Sequence, residues 1–344
     1  MELFTNYDLT NLNTLGVSAR AKYFVEIKNK NDLEALLQLP EFIENKKIFL
    51  GGGSNILFIS DFDGIIVLNK LEGIDIVDED AEHVIIRAMS GVDWHNLVLY
   101  TTQRGYWGLE NLSSIPGTVG GAPVQNIGAY GSELKDVLEH VEVYSVFDSS
   151  RKILTKDECR FGYRDSIFKN EYKGQYFISA ITLRLSKIPI PNTSYKILSD
   201  YINEHNIKIN NPKNISEAVS AIRHSKLPDP KVIGNAGSFF KNVFVSKEQL
   251  EKIKLNFSEV KYFEEENGII KIPAAWLIEN SGPAPGISWK GYRVGNVGVH
   301  ANHALVLVNY GGGSGQEIYD LAHRIINSIL LKFELNLTPE VNLI

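Results

Sequence analysis

Three glycine-rich stretches and a handful of polar residues are the parts of this sequence that could do chemistry. The first, Leu50-Gly51-Gly52-Gly53-Ser54-Asn55, follows the apolar run Lys47-Ile48-Phe49-Leu50, which reads as a buried strand. Glycine lacks a Cβ, so consecutive backbone N–H groups can converge on one anion. A pyrophosphate suits such a nest; a tight turn between elements is the plain alternative. No Gly-Lys-Ser/Thr follows, which excludes a P-loop, and the G-x-G-x-x-G fingerprint is absent. Any dinucleotide is therefore held outside a Rossmann fold.

The second stretch, Ser114-Ile115-Pro116-Gly117-Thr118-Val119-Gly120-Gly121-Ala122-Pro123, continues into Gln125-Asn126-Ile127-Gly128-Ala129-Tyr130-Gly131. Its small residues let backbone press against a flat ligand, and the amides of Gln125 and Asn126 could read the edge of a heterocycle. A long surface loop is the alternative. Two such loops in one chain point to a large, extended, anionic cofactor.

The third stretch, Gly234-Asn235-Ala236-Gly237-Ser238-Phe239-Phe240-Lys241-Asn242, sets a serine between glycine and two aromatics. A hydroxyl there can donate a proton where water is excluded; the start of a strand is the plainer reading. No G-x-S-x-G elbow marks Ser238 as a hydrolase nucleophile. In Phe161-Gly162-Tyr163-Arg164-Asp165-Ser166, Arg164 can grip a carboxylate in bidentate fashion or simply pair with Asp165. Lys226, beside Pro228 and Pro230, is a candidate cation for phosphate or carboxylate, or a solvated lysine. His300 and His303 lack a third ligand, so no metal is expected. Glu340 in Pro339-Glu340-Val341 reads alone as a surface acid.

These residues need a scaffold large enough for more than one core. The 344 residues make two or three domains the prior. A net charge of -6 argues against nucleic-acid binding while allowing a local basic pocket. The lone Cys159 rules out an internal disulfide. No secretory signal or membrane-length apolar run is read, so a cytoplasmic protein without membrane insertion is expected, acting as a monomer.

Alternation of strand and helix patterns gives an α+β expectation. Strands are predicted at Tyr23–Ile27, 47–50, 64–68, 83–88, 141–144, 176–185 and 304–308. Helices are predicted from a cap at Asn31-Asp32 to Leu37, from Asp93 to about Thr102, from near Tyr195, and from Gly315 to about Leu335. The prolines of 188–193 break the pattern before Tyr195.

Taken together, the motifs resemble the UDP-N-acetylenolpyruvoylglucosamine reductase family along nearly the whole chain. The Gly-Gly-Gly-Ser-Asn turn, the Ser-Ile-Pro-Gly-Thr-Val-Gly-Gly-Ala-Pro loop, Tyr-Arg-Asp-Ser, Lys-Leu-Pro-Asp-Pro, Gly-Asn-Ala-Gly-Ser-Phe-Phe-Lys-Asn and Pro-Glu-Val occur in the family's order. The resemblance implies three domains: a two-part FAD-binding fold of the vanillyl-alcohol-oxidase (PCMH-like) superfamily plus an α/β substrate-binding domain. The expected limits are 1–75, 76–225 with a tyrosine loop near 188–200, 226–335, and a tail over 336–344 returning to the active site.

It further implies that FAD lies on Gly51, Gly52, Gly53, Ser54, Asn55, Ser114, Ile115, Pro116, Gly117, Thr118, Gly120, Gly121, Gln125, Asn126, Gly128, Ala129 and Tyr130. NADPH is the implied hydride donor and UDP-N-acetylglucosamine enolpyruvate the implied acceptor. A hydride adds to C3 of the enolpyruvyl ether. Arg164 then matches the cation that stabilises the enolate-like charge, Ser238 the donor of the proton to C2, and Glu340 the assisting carboxylate. The three are expected to converge near the flavin N5. Tyr195, Lys226, Asn242 and His303 match substrate-binding positions, Tyr195 marking the longer form of the enzyme.

Two residues depart from the family pattern: Val243 stands where proline usually follows Lys-Asn, and His303 where glutamine is common. A neutral imidazole can replace the amide as a donor but adds pH sensitivity. Competing expectations are another flavin oxidoreductase of the superfamily, acting on a small alcohol or lactone, and a non-catalytic flavin-binding protein.

Overall fold

A computed structural model describes residues 1–265 and 268–344. The chain forms two compact units. The first comprises Met1–Tyr7, Ala21–Gly53 and Phe62–Ser225; the second comprises Asp8–Arg20, Ser54–Asp61 and Lys226–Ile344.

The first unit holds two sheets. In the smaller, Phe62–Asn69 runs parallel to both Arg20–Ile27 and Lys47–Leu50, with Leu3–Asp8 at the far edge. Parallel neighbours need a crossover, and the helices Lys30–Leu36 and Pro40–Glu44 supply it. Residues 64–69 are all buried, as expected of a strand covered on both faces. Leu33, Leu36 and Phe42 from the helices pack with Val25, Ile27, Ile65 and Val67. The first helix is capped by Asn29, whose side chain accepts from Asp32 N, two residues ahead of the expected cap. Asp32 instead lies in the first turn, where its charge suits the helix dipole.

The larger sheet is antiparallel, in the order Arg151–Thr155, Leu138–Ser145, Tyr176–Ser186, His83–Met89, Ile74–Glu79. Alternate residues of His83–Met89 are buried, the period-2 pattern of a sheet with one face inward. Helix Trp94–Thr102, capped by Asp93 as expected, sets Trp94, Leu97 and Val98 into the same core. Glu142 is buried in this sheet and gripped by Arg87 and Arg151 at 2.5 and 2.7 Å. Those hydrogen bonds pull its carboxyl from 4.5 to about 2. Cys159 is buried and free, its thiol pushed up to about 12 by burial.

Helix Pro212–Lys226 was not expected. It buries Ile215, Ala218, Val219 and Ile222 against Leu198, Ile202 and Trp107. The spacing i, i+3, i+4, i+7 is that of a helix face.

The second unit is built on an antiparallel sheet in the order Gly234–Ser238, Val306–Asn309, Val297–Val299, Arg293–Val294. The expected strand at 304–308 begins two residues later because His303 O accepts from Val306 N, closing a turn. Helix Gly315–Phe333 starts at a capping box, Ser314 with Glu317. It ends at Glu334, whose φ of 57° closes it two residues before the expected end. Its buried Ile318, Leu321, Ala322, Ile325 and Ile329 form one stripe. The C-terminal segment Asn342–Leu343 pairs in parallel with Ile56–Leu57, a long-range closure.

Candidate functional site

In the first unit the two glycine-rich stretches lie against each other. A Cβ on Gly51 would overlap Thr118 Oγ1, and one on Gly52 would stand 3.0 Å from Gly117 Cα. At Gly52 the missing Cβ allows the close approach of two backbones; at Gly51 it leaves room for the Thr118 side chain. Gly120 is similarly tight, 2.8 Å from the Ser90 Cβ. The second loop is held from below: Gly117 O accepts from Trp94 N and Gly120 N donates to Ser90 O.

Ser114 has a positive φ of 55°. Its N–H donates to His95 Nδ1, its hydroxyl to Ser220 Oγ, and its carbonyl accepts from Arg223 Nε at 3.1 Å. Burial lowers the His95 pKa and keeps that imidazole neutral, free to accept. Arg223 has no carboxylate within ion-pair distance among the described residues. Burial pushes its pKa down, Tyr130 raises it and Arg164 lowers it. A half-buried cation without an acid beside it favours an anion nearby. Closely apposed glycine turns with a half-buried cation beside the second of them fit the pyrophosphate of FAD.

Gln125 and Asn126 follow. Asn126 is fully buried at φ 44°; it donates to Glu133 Oε2 and Gly162 O and accepts from Lys135 N. Its amide braces the loop against the turn that carries Arg164. That turn is closed by Gly162 and Asp165 exchanging backbone bonds, with Arg164 at φ 52°. Asp165 accepts from Asn170 with both oxygens, and Arg164 Nη2 donates to Gly128 O at 2.5 Å.

Gly128–Ala129 and Ser132–Glu133 form a hairpin whose turn residues Tyr130 and Gly131 both have positive φ, 48° and 83°. This is the backbone of a type I′ turn. Tyr195 immediately precedes helix Lys196–Glu204, where a helix was expected to begin; it makes no side-chain cap bond, is 45% exposed, and packs edge-on against Tyr130 at 5.5 Å.

In the second unit Ser238 sits at an irregularity. The register with Val306–Asn309 shifts between Asn235 and Ser238, and Gly237 takes φ +67° with its N–H on Asn235 Oδ1. A bulge of this kind re-aims the side chain that follows, which is more than the strand start that spacing suggested. The tail runs beside it: Glu340 N donates to Phe239 O at 2.7 Å and Lys241 N to Thr338 O at 2.9 Å. Glu340 and Ser238, a hundred residues apart in sequence, are thus brought to adjoining backbone. Asn55 completes the arrangement, its carbonyl accepting from Asn342 N and Nδ2 and its Nδ2 donating to Glu340 O.

Asn242 Oδ1 accepts from Ala274 N, capping helix Ala274–Glu279. Val243 is the first residue of an edge strand and pairs with Ile272, a position that also accepts a proline. His303 Nδ1 accepts from Leu305 N, which puts the ring proton of the neutral form on Nε2. Burial first, then His300 and Lys226, lowers its pKa. Lys226 is exposed at the end of its helix. Among residues the sequence reading missed, Arg223 and His95 sit directly on the second glycine loop, and Asn111 and Asn192 tie that loop to the tyrosine segment.

Comparison with known proteins agrees with this division. Residues 21–149 match the FAD binding domain family, and residues 229–344 match the C-terminal domain of UDP-N-acetylenolpyruvoylglucosamine reductase. Over its full length the chain is 44% identical to the UDP-N-acetylenolpyruvoylglucosamine reductase of Amoebophilus asiaticus and 43% identical to that of Flavobacterium johnsoniae, each covered completely. The crystal structure of the Thermus caldophilus enzyme of that name shares the fold, with TM-score 0.67 at 22% identity, covering 99% of this chain and 98% of that one. Identity above 40% that runs from end to end of both chains leaves one conclusion: the chain belongs to the UDP-N-acetylenolpyruvoylglucosamine reductase family.

Proposed function

We propose that Arg164, Ser238 and Glu340 carry out the proton and charge handling of a reduction in which NADPH is the ultimate hydride donor. The chain is an FAD-dependent oxidoreductase of peptidoglycan precursor synthesis, reducing UDP-N-acetylglucosamine enolpyruvate to UDP-N-acetylmuramate. Bound FAD supplies the hydride to C3 of the enolpyruvyl group.

The rest is work for side chains. Arg164, permanently charged, stabilises the negative charge that grows on C2 and its carboxylate, an interaction stronger in the transition state than in the ground state. Ser238 gives its hydroxyl proton to C2. Glu340 polarises the intermediate beside it. Tyr195, Lys226, Asn242 and His303 hold the UDP-sugar, and Gly51–Asn55 with Ser114–Tyr130 hold FAD. The observation that best supports this reading is the Ser238 bulge with Glu340 anchored to Phe239 O, which sets a hydroxyl and a carboxyl on adjoining backbone.

We further propose a cytoplasmic monomer, consistent with the lack, among the described residues, of any helix long and apolar enough to cross a membrane. A split of the flavin-binding part near residue 75 is supported by its two separate sheets. Anaerobic NADPH oxidation that depends on UDP-N-acetylglucosamine enolpyruvate tests the function; oxygen consumption with a small alcohol or lactone instead would overturn it.

A further inference from the structure

We propose that His95 is a positioning residue for the flavin: its imidazole seats Ser114 at the entry of the second glycine-rich loop, in place of a backbone acceptor that the chain cannot supply there. This rests on the reading of Ser114–Tyr130 as a loop that holds FAD.

The segment 90–95 runs beneath that loop and holds it at four points. Gly120 N donates to Ser90 O at 2.8 Å, Val119 N donates to Val92 O at 2.9 Å, and Trp94 N donates to Gly117 O at 3.0 Å. These three bonds join backbone to backbone and do not depend on any side chain. The fourth does. At Trp94 the chain turns into helix Trp94–Thr102, and from Asp93 onward its carbonyls serve that helix, Asp93 O accepting from Leu97 N at 3.1 Å. Ser114 N donates instead to His95 Nδ1, at 3.1 Å. The ring must be neutral to accept. Burial lowers its pKa, Asp93 raises it, and His224 and Arg223 lower it.

Ser114 needs to be held. Its φ of 55° is unfavourable for a residue with a side chain and persists only where the surroundings impose it. Helix Pro212–Lys226 grips it from the other side. Ser216, Ser220 and Arg223, spaced i, i+4, i+7, share one helix face. Ser216 Oγ meets Ser113 Oγ at 2.7 Å, Ser220 Oγ meets Ser114 Oγ at 2.9 Å, and Arg223 Nε donates to Ser114 O at 3.1 Å. Ser114 is thus bonded through its N–H, its hydroxyl and its carbonyl. The hydroxyl can turn to another partner, but the N–H is fixed by the backbone and left unmet without an acceptor at the imidazole. With its N–H turned into the protein, Ser114 serves FAD by aiming residues 115–121, and His95 acts on the cofactor through it.

Three substitutions separate the acceptor from the bulk of the ring. His95→Asn places Oδ1 on the branch that Nδ1 occupies and keeps an acceptor for Ser114 N. His95→Gln carries its amide one carbon further out, and His95→Ala has no acceptor. Each full-length holoenzyme is measured two ways: the rate at which FAD leaves, read as free-flavin fluorescence after dilution, and amide hydrogen exchange over 113–120. His95→Gln and His95→Ala should each release FAD about tenfold faster and exchange about tenfold faster over 113–120, the worth of one buried hydrogen bond. His95→Asn should stay within about threefold of the parent on both. If His95→Asn matches the other two variants, or if none of the three differs from the parent, the proposal is overturned. Faster FAD release with unchanged exchange over 113–120 overturns it as well. The parent chain, with and without FAD, tests the underlying reading: no protection of 114–121 by FAD removes the loop from the cofactor, while exchange in the three variants still decides whether His95 seats Ser114.

Discussion

Gly52 lies against the backbone of Gly117: a Cβ placed on residue 52 would stand 3.0 Å from the Gly117 Cα. Gly51 faces Thr118 in the same way, but there the obstacle is a side-chain hydroxyl that can rotate aside. The two glycines are therefore unequal. Gly52→Val should lower the fraction of chains purified with flavin, read as absorbance at 450 nm per chain, by about tenfold or more. It should also destabilise the fold by about 1–3 kcal/mol through overpacking. Gly51→Ala should do markedly less on both counts. Equal flavin content in the two variants would contradict a cofactor cradle built from the Gly52–Gly117 approach.

Glu142 makes a pH prediction. Its carboxyl lies lower in the folded chain, about 2, than its ordinary 4.5. Such a group adds stability that is complete above 4.5 and is lost as pH falls towards 2. Arg151 is half exposed, so solvent screens part of the pair; the contribution is about 1–3 kcal/mol. Glu142→Gln should lower the Tm at pH 7 and flatten the Tm profile between pH 4.5 and 2. A variant profile parallel to the parent's would remove Glu142 as the cause.

His303 is held neutral by burial, with Nδ1 accepting from Leu305 N. Because its folded pKa is depressed, the imidazole stays neutral at the ordinary value of 6.5 and takes up a proton only as pH falls further, through the lowered value. Binding of the UDP-sugar should weaken on that acid side. His303→Gln supplies an amide with no titration. Its KM should stay within about fivefold of the parent at pH 7.5, and the acid-side rise should disappear. A persisting acid-side rise would assign it to another group.

Much of the fold was legible because periodicity survives burial. His83–Met89 alternates in exposure, and the strand expected at 64–68 lies within Phe62–Asn69, its apolar run 65–68 fully buried. The caps of Asp93 and Ser314 fall where helices begin. Helix Pro212–Lys226 was missed although Ile215, Ala218, Val219 and Ile222 carry its signal; polar neighbours and the Asn-Pro start masked a narrow stripe. Arg223 was missed with it. The pairing of Asn342–Leu343 with Ile56–Leu57 joins opposite ends of the chain, and no local pattern encodes it.

The site divides along the same line. The glycine loops announced themselves by composition. Ser238, Arg164 and Glu340 emerged from motif order; their local settings, a bulge, a left-handed turn and a tail bonded to Phe239, depend on tertiary hydrogen bonds. Asn126 looked like a reader of a heterocycle, but its amide is occupied within the protein. Asn192 drew no notice because a lone Asn among prolines reads as loop.

The most direct measurement is a stopped-flow experiment on Ser238→Ala with flavin bound. NADPH should bleach the 450 nm band at nearly the parent rate. The return of colour on adding UDP-N-acetylglucosamine enolpyruvate without oxygen should slow by about 10²- to 10⁴-fold. Colour returning at the parent rate would contradict Ser238 as the proton donor, and with it the account of how this chain completes the reduction.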